Sequence, residues 1–222
     1  NDWYTTEDWQ LTDTEKVRYY LDGEALTEVE PAADATRSYT SDPNNPVPYD
    51  SVTDHRRREY MLADQSFADG REDVLSYTTE PLEADVTFVG EVIASLDVAI
   101  STTDADFVVR VIDVFPEDDA QKPNYQMLVR AEPMRARYRE SFSNPVPMVP
   151  NEKATIRYAL PDIAHTFKAG HRIKVAVQSS WFPLAEFSPQ QYVDLWSCGS
   201  DDFVSADIDV YNSSTITFNA VK

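Results

Sequence analysis

The chain is short of cysteine, glycine, histidine and positive charge. It has 222 residues, with one Cys, five Gly, three His and 19 Lys+Arg against 39 Asp+Glu, for a formal charge of −20. An acidic excess of that size repels phosphate backbones at every approach, which argues against a nucleic-acid partner. The lone Cys198 excludes an internal disulfide and a cysteine-rich metal site. No run of eighteen apolar residues occurs, so no helical membrane span is expected, and no signal-like apolar segment opens the chain. None of Gly23, Gly70, Gly90, Gly170 or Gly199 stands in a G-x-S-x-G turn, the strained strand-to-helix corner that exposes a hydrolase nucleophile.

Apolar side chains, by contrast, are plentiful. A hydrophobic fraction of 42% with 12% aromatics argues for a packed core in spite of the charge. A chain of this length buries roughly 70% of its extended surface, enough for one sizeable domain. Period-2 alternation dominates. Val92, Ala94, Leu96, Val98 and Ile100 alternate with Ser95, Asp97 and Ala99. Ile156, Tyr158 and Leu160 do the same, as do Ile173, Val175 and Val177 against Arg172, Lys174 and Gln178, and Ile216 and Phe218 against threonines. Phe107 to Phe115 is apolar on both faces apart from Arg110 and Asp113, as a central strand would be. Lys16 to Leu21 runs into Asp22-Gly23, a hairpin signal.

Helical signals are weak, the best being Asp64 to Val74, interrupted by Gly70. Prolines mark loops at 42–48 and 144–150, since proline cannot donate to a strand ladder. The stretch from Ala32 to Asp54 reads as an irregular excursion rather than a linker. These patterns predict an all-β, jelly-roll β-sandwich of the galactose-binding-domain-like type, with long Pro/Asp-rich loops and at most short helices.

Several residue groups invite a chemical reading. Ser179, Ser180, His55, His165 and His171 contain the ingredients of a nucleophile and base, but no spacing links them, and a turn at Gly170 accounts for two of the histidines. Asp104 with Asp106, Asp207 with Asp209, and Glu117-Asp118-Asp119 offer paired carboxylates of the kind calcium takes, or ordinary solvated loop acid. Arg135, Arg137 and Arg139 alternate with Met134, Ala136 and Tyr138, which on a strand puts three guanidiniums on one face. Pairing with carboxylates of neighbouring strands explains them better than an anion stripe. Trp181 and Phe182 begin a loop that also holds Phe187 and Tyr192. Such aromatics can stack a sugar, plug the end of the core, or dock against another domain.

Five stretches together resemble the C-terminal jelly-roll domain of the CocE/NonD serine hydrolases, the Xaa-Pro dipeptidyl peptidase C-terminal type. They are Ser41-Asp-Pro-Asn-Asn-Pro-Val-Pro-Tyr49, Arg71-Glu-Asp-Val-Leu-Ser-Tyr-Thr-Thr-Glu-Pro-Leu82, Asp106-Phe-Val-Val-Arg-Val-Ile-Asp-Val-Phe-Pro116, Met134-Arg-Ala-Arg-Tyr-Arg139 and Ala169-Gly-His-Arg-Ile-Lys-Val-Ala-Val-Gln-Ser-Ser-Trp-Phe-Pro183. Their order and spread, from about Trp9 to Phe218, carry the resemblance. The first and last are most similar to the α-amino acid ester hydrolase and glutaryl acylase branch.

The resemblance implies a single domain over residues 1–222, lacking a catalytic triad and requiring neither cofactor nor metal. The catalytic α/β-hydrolase domain is expected N-terminal to Asn1. This domain and a cap domain of the same chain are the implied partners, with Trp181 and Phe182 as candidates for the interface or cleft edge. The face that meets the hydrolase domain is expected to be less acidic than the rest. Compartment and oligomeric state stay open, export being compatible with the branch. The alternative from another class is an independent carbohydrate-binding jelly-roll module, motivated by Trp181 and Phe182; an adhesion or assembly domain is a third.

Overall fold

The alternation from Val92 to Ile100 forms the second half of the longest strand in the computed structural model, which describes residues 9, 13–52, 55, 57–186 and 188–222. In chain order the strands are β1 (Thr14–Asp22), β2 (Ala25–Thr27), β3 (Thr36–Ser41), β4 (Leu75–Thr78), β5 (Val86–Ile100), β6 (Asp106–Val114), β7 (Gln126–Arg135), β8 (Ala154–Phe167), β9 (Arg172–Gln178), β10 (Ala206–Tyr211) and β11 (Thr215–Val221). Four 3-10 turns of three to five residues are the only helical elements among the described residues. None of them is long and apolar enough to cross a membrane.

The strands follow one hydrogen-bonded path, β3-β10-β5-β11-β1-β2-β4-β9-β6-β7, with β8 on the other side of β5. A single parallel bridge, Ala25 to Thr78, joins its two halves. Folded over, the halves form the expected β-sandwich. Strand β5 organises the first half: β8 pairs along most of its length, while β11 and then β10 share its opposite edge. A bulge at Gly90 lets so long a strand bend. Its φ of +94° is a conformation that side-chain-bearing residues rarely adopt.

The inward residues of the first half, including Phe88, Leu96, Ile156, Phe167 and Phe218, meet Phe107, Val109, Val111, Ile173 and Val175 of the second in one core. Phe88 stacks on Phe218 at 4.6 Å and meets Phe167 edge-on at 5.9 Å. Each such ring contributes about 1.5–3 kcal/mol by leaving water.

Strand β9 departs from its pattern. Its alternation predicts one wet face, yet Lys174 and Gln178 are buried along with Ile173, Val175 and Val177. The long segment before β4 explains this. It lies over the outer face of β6, β7 and β9, where Val47, Tyr49, Ala68, Val74 and Trp181 pack on Val108, Ile112, Leu128 and Ala176 as a second core. Of two 3-10 turns in this segment, Arg58–Leu62 precedes the weak helix read over Asp64 to Val74 and Gln65–Ala68 stands in its place. Asp64 caps the second by accepting from the Ser66 amide.

Lys174 and Arg110, trapped beneath this cover, find partners in it, although Arg110 Nε has none. Lys174 bonds Asp69 and Gln126, and Gln126 Nε2 donates to Asp69 at 2.5 Å. Arg110 donates from Nη1 to Gln65 Oε1 at 2.8 Å and faces the Phe67 ring. Burial lowers its guanidinium to about 10.

Candidate functional site

The serines and histidines that could make a triad are engaged elsewhere. Ser179 Oγ shares a hydrogen bond of 2.7 Å with the buried Tyr39 hydroxyl, whose ionisation burial pushes up. Ser180 Oγ accepts from the Val47 amide at 2.7 Å. Both histidines near Gly170 bond one carboxylate: His165 Nε2 lies 2.9 Å from Asp113 Oδ2, and His171 Nδ1 2.7 Å from Asp113 Oδ1. Asp113 is the polar residue that interrupts the apolar run of β6, and it ties that strand to β8 and β9. His55 lies in the segment before β4, where its carbonyl accepts from the Tyr49 hydroxyl. No hydrogen bond between a serine hydroxyl and an imidazole occurs among the described residues.

The carboxylate pairs are similarly committed. Asp106 takes a bidentate ion pair from Arg135, at 2.7 and 3.0 Å. Asp104, 0% exposed, accepts from the Arg137 amide at 2.9 Å and from its Nε at 2.5 Å. Burial pushes both carboxyls up while the arginines pull them down. Asp207 and Asp209 accept from Thr40 and Ser38 across the β3–β10 pair. Asp119 closes a turn by accepting from the Gln121 and Lys122 amides, which hold its carboxyl below the usual range.

Arg135, Arg137 and Arg139 do not share a strand face. Strand β7 ends at Arg135, and a 3-10 turn carries Ala136–Tyr138. Arg135 and Arg137 pair with acids as the sequence suggests. Arg139 instead spans the carbonyls of Ala136, Val146 and Pro147. Arg137 also reaches the carbonyls of Val193 and Gln191 and sits 4.7 Å from the Tyr192 ring centroid.

These arginines gather one end of the sandwich. The loops after β3, β5, β7 and β9 converge there, pinned by Arg137, by Arg135 on the Glu186 carbonyl at 3.3 Å, and by the Tyr192 hydroxyl on the Pro145 carbonyl at 2.8 Å. Trp181 and Phe182, adjacent in sequence, have opposite fates here. Trp181 is 6% exposed and meets Tyr60 edge-on at 5.8 Å, inside the second core. Buried there, its ring is not placed to stack a sugar, which removes the Trp181 part of the motive for a carbohydrate-binding module.

Phe182 is 40% exposed, held by its own amide and carbonyl to Val47 and Tyr49 beside a cis peptide to Pro183. Phe187 lies outside the described residues. Two large apolar side chains that no motif marks stand out at the same end: Trp196 at 97% exposure and Phe142 at 77%, the latter stacked on Tyr138. Phe142 stands between two serines and Trp196 between Leu195 and Ser197, placements that periodicity does not register. Aromatic rings exposed on loops are the composition that protein interfaces enrich.

A profile of the X-Pro dipeptidyl-peptidase C-terminal non-catalytic domain matches residues 1–196. Cocaine esterase of Rhodococcus sp. (strain MB1 Bresler) is 31% identical over 194 residues, 82% of this chain and 33% of the esterase. An aminopeptidase from a marine-sediment Thaumarchaeota archaeon superposes with a TM-score of 0.94 at 33% identity, covering all of this chain and 39% of that one. An alpha-amino acid ester hydrolase superposes with a TM-score of 0.85 at 36% identity, covering 93% and 36%. A Staphylococcus aureus CocE/NonD family hydrolase shares the fold, with a TM-score of 0.66 at 14% identity. The chain thus spans between a third and two-fifths of the length of these relatives.

Proposed function

Because the chain belongs to the family of X-Pro dipeptidyl-peptidase C-terminal non-catalytic domains, we propose that residues 1–222 form a single accessory domain of a larger serine-dependent ester or amide hydrolase. Its catalytic α/β-hydrolase domain precedes Asn1 in the same polypeptide and carries the nucleophile. The relatives are an esterase, an ester hydrolase and an aminopeptidase, all of which cleave an acyl bond. In the parent enzyme the serine oxygen attacks the acyl carbon, histidine takes the serine proton and passes it to the leaving alcohol or amine, and water then releases the acid.

The observation that carries this reading is the placement of Ser179, Ser180, His165 and His171. Each is locked into a structural bond, and neither serine hydroxyl bonds either of these imidazoles. The contribution of this domain is to pack on the hydrolase and cap domains and to wall the substrate cleft. Phe182, next in sequence to the buried Trp181, supplies the apolar edge, and Phe142 and Trp196 stand exposed on other loop positions of the same end. Closing a cleft with rigid apolar rings excludes water from the acyl-enzyme step.

The 222-residue chain alone is expected to hydrolyse neither p-nitrophenyl acetate nor amino acid esters, and to gain no adduct from a fluorophosphonate probe in intact-mass measurement. An adduct mapped to Ser179 or Ser180 would overturn the reading. The parent protein, expressed from its whole gene, is expected to take one adduct upstream of Asn1.

A further inference from the structure

On the outer face of the first half, opposite the main core, a polar groove of about 470 Å³ crosses β1, β11, β5 and β8. That volume falls within the range of ligand sites, but its floor is hydrophilic where such sites are mostly apolar. The strand register places Tyr20, Thr215, Ser95 and Arg157 in one row, and Arg18, Thr217 and Ile93 in the next. Lys16 follows, two residues from Arg18 and on the same face. Acids outnumber bases about two to one in this chain, and most of its other arginines are held by carboxylates or carbonyls. The side chains of Lys16, Arg18 and Arg157 have no hydrogen bond or ion pair among the described residues. Glu30 and Asp34 wall the groove, and Glu91 lies at its floor.

We infer that this groove seats an acidic segment of the catalytic part of the parent chain, a docking contact that rests on the accessory-domain reading and adds a second surface to the Phe182 end. Three observations select that occupant. The free cations on the floor call for carboxylates, and the acids at the edge for cations or amide donors around them. A free ligand would be held poorly: an exposed ion pair is worth at most about fivefold in an equilibrium constant, so three give about a hundredfold and a dissociation constant of the order of 10 mM. A tethered segment needs no more than this, because linkage supplies millimolar effective concentration and other contacts between the domains add to it. Finally, Trp9 donates from Nε1 to Asp162 on β8, three strands from the start of β1. Residue 9, ahead of β1 in sequence, therefore lies beside β8 of this same sheet.

The test compares the 222-residue chain with the full-length parent by chemical footprinting, using acetylation for Lys16 and phenylglyoxal for Arg18 and Arg157. All three are expected to react freely in the domain and at least tenfold more slowly in the parent, with the protection lost in 1 M salt, where the Debye length falls to about 3 Å. Lys122, near the opposite end of the sandwich, serves as the unprotected control. Arg18→Glu with Arg157→Glu in the parent is expected to expose Lys16 at least fivefold while the melting of the isolated domain is unchanged. Protection around the Phe182 end without protection of the groove overturns this inference and leaves the accessory-domain reading standing. Protection nowhere in the parent overturns both. Protection that appears in the isolated domain as its concentration rises assigns the groove to a second copy and overturns the inference alone.

Discussion

Arg137→Met tests how the loop end of the sandwich is held. The guanidinium is removed from Asp104, which keeps only the backbone amide of residue 137 as donor while fully enclosed. The carbonyls of Val193 and Gln191 and the Tyr192 ring lose their cation at the same time. Breaking a buried pair by deleting one partner costs about 3–5 kcal/mol, chiefly through the uncompensated charge left behind. For a domain of this size that corresponds to about 6–20 °C in Tm.

The loss should depend on pH in a defined sense. Burial already raises the Asp104 carboxyl above its usual value. A folded-state value above the unfolded one means that stability falls as pH rises from the unfolded value through the folded one. Without Arg137 the carboxyl rises further, so the window of loss extends upward. The deficit against wild type is therefore smaller at pH 4 than at pH 8, because the variant's carboxyl escapes its unpaired charge by taking up a proton. Urea titrations at the two pH values, with equal slopes as the check on two-state behaviour, read this directly. A deficit below about 1 kcal/mol at pH 8, or one that does not shrink on acidification, would refute the account of the pair. Adding Asp104→Leu to Arg137→Met should recover most of the loss, because two apolar groups replace a charge that has no partner.

Trp181→Ala in the isolated domain is expected to cost about 3–5 kcal/mol as a core truncation. Phe182→Ser should stay within about 0.5 kcal/mol there, yet lower kcat/KM or domain coupling in the full-length parent. Equal stability losses for the two would show that Phe182 belongs to the core rather than to an interface. Gly90→Ala is expected to destabilise by about 1–3 kcal/mol, measured by urea unfolding. Its added Cβ would meet nothing nearer than Asn219 Nδ2 at 3.6 Å, so the cost is one of backbone conformation and a neutral outcome would mean the bulge relaxes.

The alternation of β5, β8 and β11 was legible because the side-chain period of a strand is two whatever packs on it, and β6 was legible as a central strand from its two apolar faces. Even the pairing of Arg135 and Arg137 with acids followed from residue chemistry, although Asp104 and Asp106, read as a pair that could hold calcium, turned out to be their partners. The misreadings have a common cause. Periodicity reports which face of a strand is apolar, but not what a distant segment lays over the other face. Lys174 and Gln178 look solvent-facing in β9 and are buried because residues 42–74 fold across them. Trp181 and Phe182 look equivalent in sequence, and only the packing of Trp181 against Tyr60 separates a core anchor from a surface ring.

By itself, then, the sequence determined an acidic all-β chain without a nucleophile turn and marked its family through five ordered motifs. These are local properties, set by side-chain period, turn chemistry and composition. The tertiary structure decided which charges meet. It spent Asp104, Asp106 and Asp113 on Arg137, Arg135 and two histidines, and it left the side chains of Lys16, Arg18 and Arg157 without an ion pair among the described residues along one groove. Ion pairing depends on strand order and register between residues far apart in the chain, which no local pattern encodes.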